Sequence, residues 1–427
     1  MKFIAYIWFS YICNLCHGYG WVPLIDLKTY NTKVISEIQL LDKELVIWEK
    51  NGSIIVQDNA CMHRKAPLSE GYIDKTTGNL RCSYHGWEYS ANGSVLSIPQ
   101  SNHCKTCIKH QNTYRTQSHN NILWLNTNLT CELELPQHIT DVVEVSNDTV
   151  VVDLPYAMNI LLENFFDPAH IPFAHHELQS KRELASTVNS TLIKMDENGI
   201  CFYFEDSTLA NGEYRNGTMT FHNPNHYELR SLYPENVFFD GLQIYCVPLR
   251  NYKTRIFMQQ KYKRRYQRYI FDKIPNFVKH SLAMTFLDSD TMLLYKQQRH
   301  LMNHEIFDTK SYYTPTSSDY SIIMFHKWLK KYNPTWLQYV YRDEKLVSEM
   351  SRYEIFNRYE AHTKHCQHCS DTLENLRKIQ IGIPICILLV SLYDLEITSL
   401  VFAFFAYIGV GKLTTYFLFR DYVHNDL

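Results

Sequence analysis

Two groups of cysteine and histidine hold most of the chemistry this sequence offers. Cys61-Met62-His63 is followed, after 18 residues, by Cys82-Ser83-Tyr84-His85. The units are Cys-x-His and Cys-x-x-His, each expected on a turn between strands. Two thiolates and two imidazoles suit one tetrahedral zinc ion. They also suit a [2Fe–2S] centre with both thiolates on one iron and both imidazoles on the other. Neutral imidazoles remove negative charge from such a centre and raise its potential above that of an all-cysteine cluster. It can then accept electrons from a ferredoxin and pass them to an oxidising site. Tyr84 is a candidate hydrogen-bond donor beside it.

The second group is His170 and His175, five residues apart across a break at Pro172. A regular helix aligns i,i+4 better than i,i+5, so the proline has to re-aim the second ring. Two histidines and a distant carboxylate make the facial triad of mononuclear non-haem iron, with open positions for O2. Asp290 is the favoured carboxylate, ahead of Asp288. Either could instead cap the helix expected to start near Ser289 or Asp290.

Together these residues resemble a Rieske non-haem iron oxygenase. Arg64 to Gly71 follows the first unit, and Gly86-Trp87 follows the second. The string Asn164-x-x-Asp167-x-x-His170-x4-His175 and a late Cys366-x-x-Cys369 before an apolar tail point to the chloroplast branch. That branch holds pheophorbide a oxygenase and the Rieske protein of the inner-envelope translocon. The resemblance covers roughly residues 20–375. It implies an α+β chain: an all-β Rieske [2Fe–2S] domain and a helix-grip (START-like) catalytic domain with an antiparallel sheet. A C-terminal membrane helical hairpin completes it.

By that resemblance Cys61, His63, Cys82 and His85 hold the cluster, and His170, His175 and Asp290 hold Fe(II). Asp167 hydrogen-bonds His170 and couples it to the cluster, in a neighbouring subunit where the chains form head-to-tail homotrimers. Electrons come from reduced ferredoxin or a ferredoxin reductase system. The implied substrate is a hydrophobic small molecule, a chlorophyll-derived tetrapyrrole such as pheophorbide a. Two other readings stay open: a sterol or lipid Rieske hydroxylase or desaturase, and a membrane-bound redox sensor of a protein-import translocon. Cys366 and Cys369 suit a thiol–disulfide switch reduced by thioredoxin, or, with His365 and His368 nearby, a metal.

These residues need elements to hold them. Residues 21–130 alternate short apolar runs with turn signals at Asn51-Gly52 and Asn92-Gly93, the pattern of a small β-domain. Residues 131–345 mix helix and sheet and form the expected catalytic domain; 346–378 read as a helical linker carrying the Cys-x-x-Cys. Two apolar runs, 379–393 and 397–419, flank Asp394-Leu395-Glu396 and read as the hairpin. Residues 1–20 are apolar, open as signal peptide, signal anchor or plain extension, and include Cys13 and Cys16. Cys104 and Cys107 are left without a role.

Over 427 residues, hydrophobic types make 45% and charged types 20%, which excludes wholesale disorder. A net charge of −2 gives no pull toward nucleic acid. Twelve cysteines are too sparse for a disulfide scaffold and favour metal. The expected location is a plastid envelope, a thylakoid or another photosynthetic membrane.

Overall fold

Asn51 and Gly52 both take positive φ, 52° and 78°, as a two-residue hairpin turn requires. They join strands β3 (Lys43–Lys50) and β4 (Ser53–Asp58). The computed structural model describes residues 20–424, except 32–33, 102–109, 130–133, 143–144, 207–214, 232–240, 263, 304–311, 341–347 and 392–396. The segment 1–19, Cys13, Cys16, Cys104, Cys107 and the Asp394–Glu396 turn therefore lie outside the described residues.

The N-terminal part is built from three small sheets. One joins β1 (Trp21–Asp26), β11 (Ile122–Asn126) and β10 (Thr116–His119). A second runs β2 (Ser36–Leu40), β3, β4 and β9 (Thr113–Tyr114). The third is a meander of β5 (Tyr72–Ile73), β6 (Leu80–Arg81), β7 (Glu88–Tyr89) and β8 (Val95–Ser97). Side chains alternate across a strand, and β3 uses both faces. Val46 and Trp48 enter a small core with Cys61, Leu68, Leu80, Cys82 and Tyr89. Leu45 and Ile47 enter the main core, which continues into the rest of the chain.

The second part is a seven-stranded antiparallel sheet in the order β12-β18-β17-β16-β15-β14-β13. Its edges are β12 (Val150–Leu154) and β13 (Asn189–Asp196). Between them lie β14 (Gly199–Asp206), β15 (Arg215–His222), β16 (His226–Ser231), β17 (Gly241–Leu249) and β18 (Lys253–Lys261). Helices α1 (Met158–Phe165), α2 (Asn276–Asn303) and α3 (Tyr320–Tyr332) share its core. The expected α+β architecture of a β-domain beside an antiparallel sheet with helices is present.

Three local expectations change. The helix carrying Asp290 starts at Asn276, directly after Pro275, so Asp290 sits in mid-helix and caps nothing. The helical linker expected over 346–378 is, where described ahead of the Cys-x-x-Cys, two single turns, Arg352–Ile355 and Arg358–Ala361, and a 3-10 turn, Thr363–His365. Ser351 and Asn357 each accept a backbone N–H three residues on, restarting the chain twice. Third, the hairpin's first arm is only the apolar end of α4 (Gln367–Ser391), whose first half carries Asp371, Glu374, Arg377 and Lys378. Helix α5 (Ile397–Leu418) packs against α4. Among the described residues only α5, over Leu400–Leu418, is long and apolar enough to cross a membrane.

Candidate metal centres

The cysteines of the first group sit at matching places in two similar loops. The N–H of Cys61 donates to the carbonyl of Ala66, and that of Cys82 to Trp87, at 2.8 and 2.9 Å. Four residues after each cysteine the chain turns through positive φ, at Lys65 (62°) and Gly86 (74°). Both N–H groups there return to the cysteine carbonyl. A Cβ on Gly86 would lie 3.0 Å from the Pro99 ring, so the second loop favours glycine by packing as well.

Both thiols are buried, and the imidazoles of His63 and His85 lie outside them, half-buried, with centroids 4.5 Å apart. His63 stacks on Trp87 at 4.9 Å. Its Nδ1 is buried and has no hydrogen-bond partner. Burial, then His85, holds this ring below its ordinary pKa, so a lone pair is free for a metal. Thiols inside and imidazoles outside fit a [2Fe–2S] group. The tyrosine beside them is Tyr89, which the sequence reading missed. Its hydroxyl lies 3.0 Å from Cys61 Sγ and accepts from the Met62 N–H at 3.0 Å. Tyr84 is instead exposed, against His85. Strand alternation was the usable signal: Tyr89 lies on β7, facing the small core.

The second group closes around α2. Asp167 caps a short turn, Pro168–His170, with its carboxylate accepting from the Ala169 N–H at 2.9 Å. A further single turn, Ile171–Ala174, contains Pro172 and delivers His175. His175 Nε2 lies 3.4 Å from Asp290 Oδ2, and His170 Nε2 lies 3.8 Å from the same oxygen. The ligand atoms of all three residues fall within 4.8 Å of one another.

Each ring is held by its other nitrogen. His175 Nδ1 donates to Ser289 Oγ at 2.7 Å, and that hydroxyl donates to the Phe286 carbonyl at 2.6 Å. His170 Nδ1 donates to the backbone carbonyl of Asp167. The expected contact between Asp167 and His170 thus runs through the main chain. Both Nε2 atoms face Asp290, with the Asn164 amide also 3.4 Å from that of His170, and Nε2 is the atom that metal ligation needs. Ser289 could have been found from its place beside Asp290. Burial, then His170, pushes His175 down to about 3, so it is neutral. Burial pushes Asp290 up to about 7, against a hydrogen bond from Asn164. A carboxylic acid so placed gives up its proton to solvent when a cation binds, and the donor set fits iron. Asp288 is committed elsewhere: it forms a buried pair with Arg358, at 2.9 Å from Nε.

Cys366 and Cys369 are buried and free of disulfide. The histidines facing them are His280 and His362, rather than His365 and His368.

Residues 20–118 match the Rieske [2Fe-2S] domain family, and residues 217–306 match the pheophorbide a oxygenase family. The chain carries a Rieske [2Fe-2S] domain and a pheophorbide a oxygenase domain, the make-up of a Rieske non-haem iron oxygenase. Such oxygenases use a [2Fe–2S] cluster and a mononuclear iron, and take electrons from ferredoxin-type partners. This oxygenase is 27% identical to pheophorbide a oxygenase of Oryza sativa subsp. japonica, over 95% of this chain and 84% of that one. It is 28% identical to flavonoid 8-hydroxylase 2 of Ocimum basilicum, over 85% and 75%. It is 24% identical to protochlorophyllide-dependent translocon component 52 of Arabidopsis thaliana, over 85% and 74%. All three are chloroplastic proteins. Its fold is shared with dicamba monooxygenase bound to dicamba, with TM-score 0.57 and 14% identity over 73% of this chain and 96% of that one.

Proposed function

We propose that this oxygenase inserts oxygen into a chlorophyll-derived tetrapyrrole of the pheophorbide a class. Cys61, His63, Cys82 and His85 would hold the cluster, and His170, His175 and Asp290 the iron. When bound, the cluster supplies single electrons and the iron supplies O2 activation. The carrying observation is the convergence of His170, His175 and Asp290, each imidazole oriented by its outer nitrogen.

The protein's own part is positioning. Ser289 and the Asp167 carbonyl fix both tautomers. Burial keeps His175 neutral and makes Asp290 exchange a proton for the metal. The Asp167 carboxylate, pushed by burial up to about 6, is the polar group next along the chain from the site and the proposed relay toward a cluster. A head-to-tail homotrimer, typical of Rieske oxygenases, would bring a neighbour's cluster to it. The tetrapyrrole assignment rests on the pheophorbide a oxygenase match and on a relative of that name aligned to 95% of the chain.

Helix α5 exposes Val401, Phe402, Phe404 and Phe405, a surface for a membrane in which such pigments partition. The chloroplastic relatives support a plastid membrane. The flavonoid hydroxylase relative supports a second reading, a planar phenolic substrate. One experiment separates them. The anaerobically reduced protein is given pheophorbide a or a flavone under labelled O2, and products are read by mass spectrometry. Label in the pigment alone supports the proposal; label in the flavone alone overturns it.

A further inference from the structure

Four buried side chains outside both oxygenase centres point at one spot. His280 comes from α2, His362 and Cys366 from the two ends of the turn before α4, and Cys369 from the start of α4. Their exposures are 0, 3, 3 and 1%. His280 Nδ1 lies 3.2 Å from His362 Nε2, 3.3 Å from Cys366 Sγ and 3.6 Å from Cys369 Sγ. His362 Nε2 lies 3.3 Å from Cys369 Sγ. A tetrahedral ion with bonds of ~2.3 Å to sulfur and ~2.0–2.1 Å to nitrogen has donor–donor edges of about 3.3–3.8 Å. The observed edges are of that size.

The outer nitrogen of His362 supports this reading. His362 Nδ1 lies 2.7 Å from the Val151 carbonyl, which can only accept, so Nδ1 carries the proton. His280 Nε2 lies 3.3 Å from Asp148 Oδ2, a carboxylate that Lys279 also holds, at 2.9 Å. His362 Nε2 is then a lone pair, facing His280 Nδ1 across 3.2 Å inside the protein. That buried lone pair needs a proton or a cation facing it, and the two thiols at the same spot suit a metal ion. A carboxylate or a backbone carbonyl behind the outer nitrogen is a usual support of a metal-binding imidazole.

We propose that His280, His362, Cys366 and Cys369 bind one structural Zn2+ ion. Two thiolates balance its charge, so no net charge is buried. Four protein ligands leave no open position, which makes the site structural. A second [2Fe–2S] centre does not fit, because sulfur and nitrogen here share one centre, whereas a Rieske cluster separates them onto two irons. The ion ties edge strand β12, through Val151 and the nearby Asp148, to α2 and α4. Ten residues along α2 from His280 stands Asp290. On the other side, Cys366 and Cys369 pack against Leu373 and Phe417, the latter on apolar helix α5. The zinc thus roots the apolar helix on the helix that carries the iron carboxylate. A Cys-x-x-Cys held in this way is a ligand pair and not a free dithiol.

The test uses the full chain, purified without immobilised metals, with zinc and iron measured by mass spectrometry and zinc-edge X-ray absorption. About one zinc per chain with two sulfur and two nitrogen neighbours is expected. His362→Ala and Cys369→Ser should each lose that zinc and keep the visible absorbance of the cluster. Where a variant fails to fold, wild-type protein grown on cobalt should show tetrahedral cobalt–thiolate bands. A chain replete in iron but without zinc, zinc lacking sulfur neighbours, or a Cys366–Cys369 disulfide in freshly isolated protein would overturn the proposal. None of these readouts needs turnover, so an inactive oxygenase still reports on the zinc site.

Discussion

The chain contains the same donor set twice, two cysteines and two histidines, in two different settings. Around Cys61 and Cys82 the thiols are buried and the histidines lie half-buried, within 4.5 Å of each other, on two loops. Around Cys366 and Cys369 all four side chains are buried; His362 is anchored from behind by the Val151 carbonyl, and the Asp148 carboxylate lies 3.3 Å behind His280. The first arrangement places the imidazole end of its metal group near the surface, where electrons can arrive. The second is closed and stitches three elements together. Donor type alone does not decide the chemistry; exposure and the partner of the outer nitrogen do. His63 Nδ1 is partnerless and buried, whereas His362 Nδ1 is bound to a carbonyl.

The sharpest way to break this comparison is to substitute one cysteine in each set. Cys82→Ser should abolish the cluster absorbance and all turnover. Cys369→Ser should leave the absorbance and lower the thermal midpoint by several degrees, since lost metal affinity is lost folding energy. Equal effects on the cluster would remove the distinction.

A third histidine group gives a smaller, pH-dependent contrast. His138, His222 and His226 stack on one another with no cysteine among them. Burial, then the charge of His222, pushes His138 down to about 4 and His226 to about 3. Burial lowers His222 too. Unfolded, these rings bind protons below pH ~6.5. Their contribution is therefore complete above that pH and falls away as pH drops toward the folded values. Denaturant titration should lose roughly 3 kcal/mol between pH 7.5 and 5.5 from His138 and His226, about 1.4 kcal/mol from each. His138→Phe should flatten that slope; an unchanged slope would refute the assignment.

Ser289→Ala tests whether outer nitrogens matter at the iron as they do at the proposed zinc. Iron affinity should drop about 10–100-fold with the zinc unchanged, as metal titration would read. The smallest effect is expected from Tyr89→Phe. Its hydroxyl would donate to the Cys61 thiolate and favour the reduced cluster. Its loss should lower the potential by ~50 mV, about 1 kcal/mol for one electron. A potentiometric titration showing no shift would exclude that bond.

How much of this was legible depended on sequence distance. Cys61, His63, Cys82 and His85 lie on two short loops, so spacing displayed them, as it did His170 and His175. Asp290 was found by neighbourhood, but its helix was misplaced, because only Pro275, well upstream, marks the start. On that helix Asp288 and Asp290 point to different sides, one at Arg358 and the other at the histidines. Spacing alone cannot rank them without knowing what each side faces. His280 and His362 were invisible as a pair, since 82 residues separate them and only folding unites them. The nearer His365 and His368 were the natural but wrong partners for Cys366 and Cys369. The apolar tail was read by composition, which does not weigh the charged first half of α4.

The central claim is that electrons held at Cys61, His63, Cys82 and His85 are used at His170, His175 and Asp290. The most direct measurement pre-reduces the protein, adds pigment and O2, and follows cluster reoxidation in wild type and in a His170→Ala, His175→Ala variant. The account predicts rapid reoxidation with oxygenated pigment in wild type, and a cluster that stays reduced with no product in the variant. Product formed by the variant at the wild-type rate would contradict it.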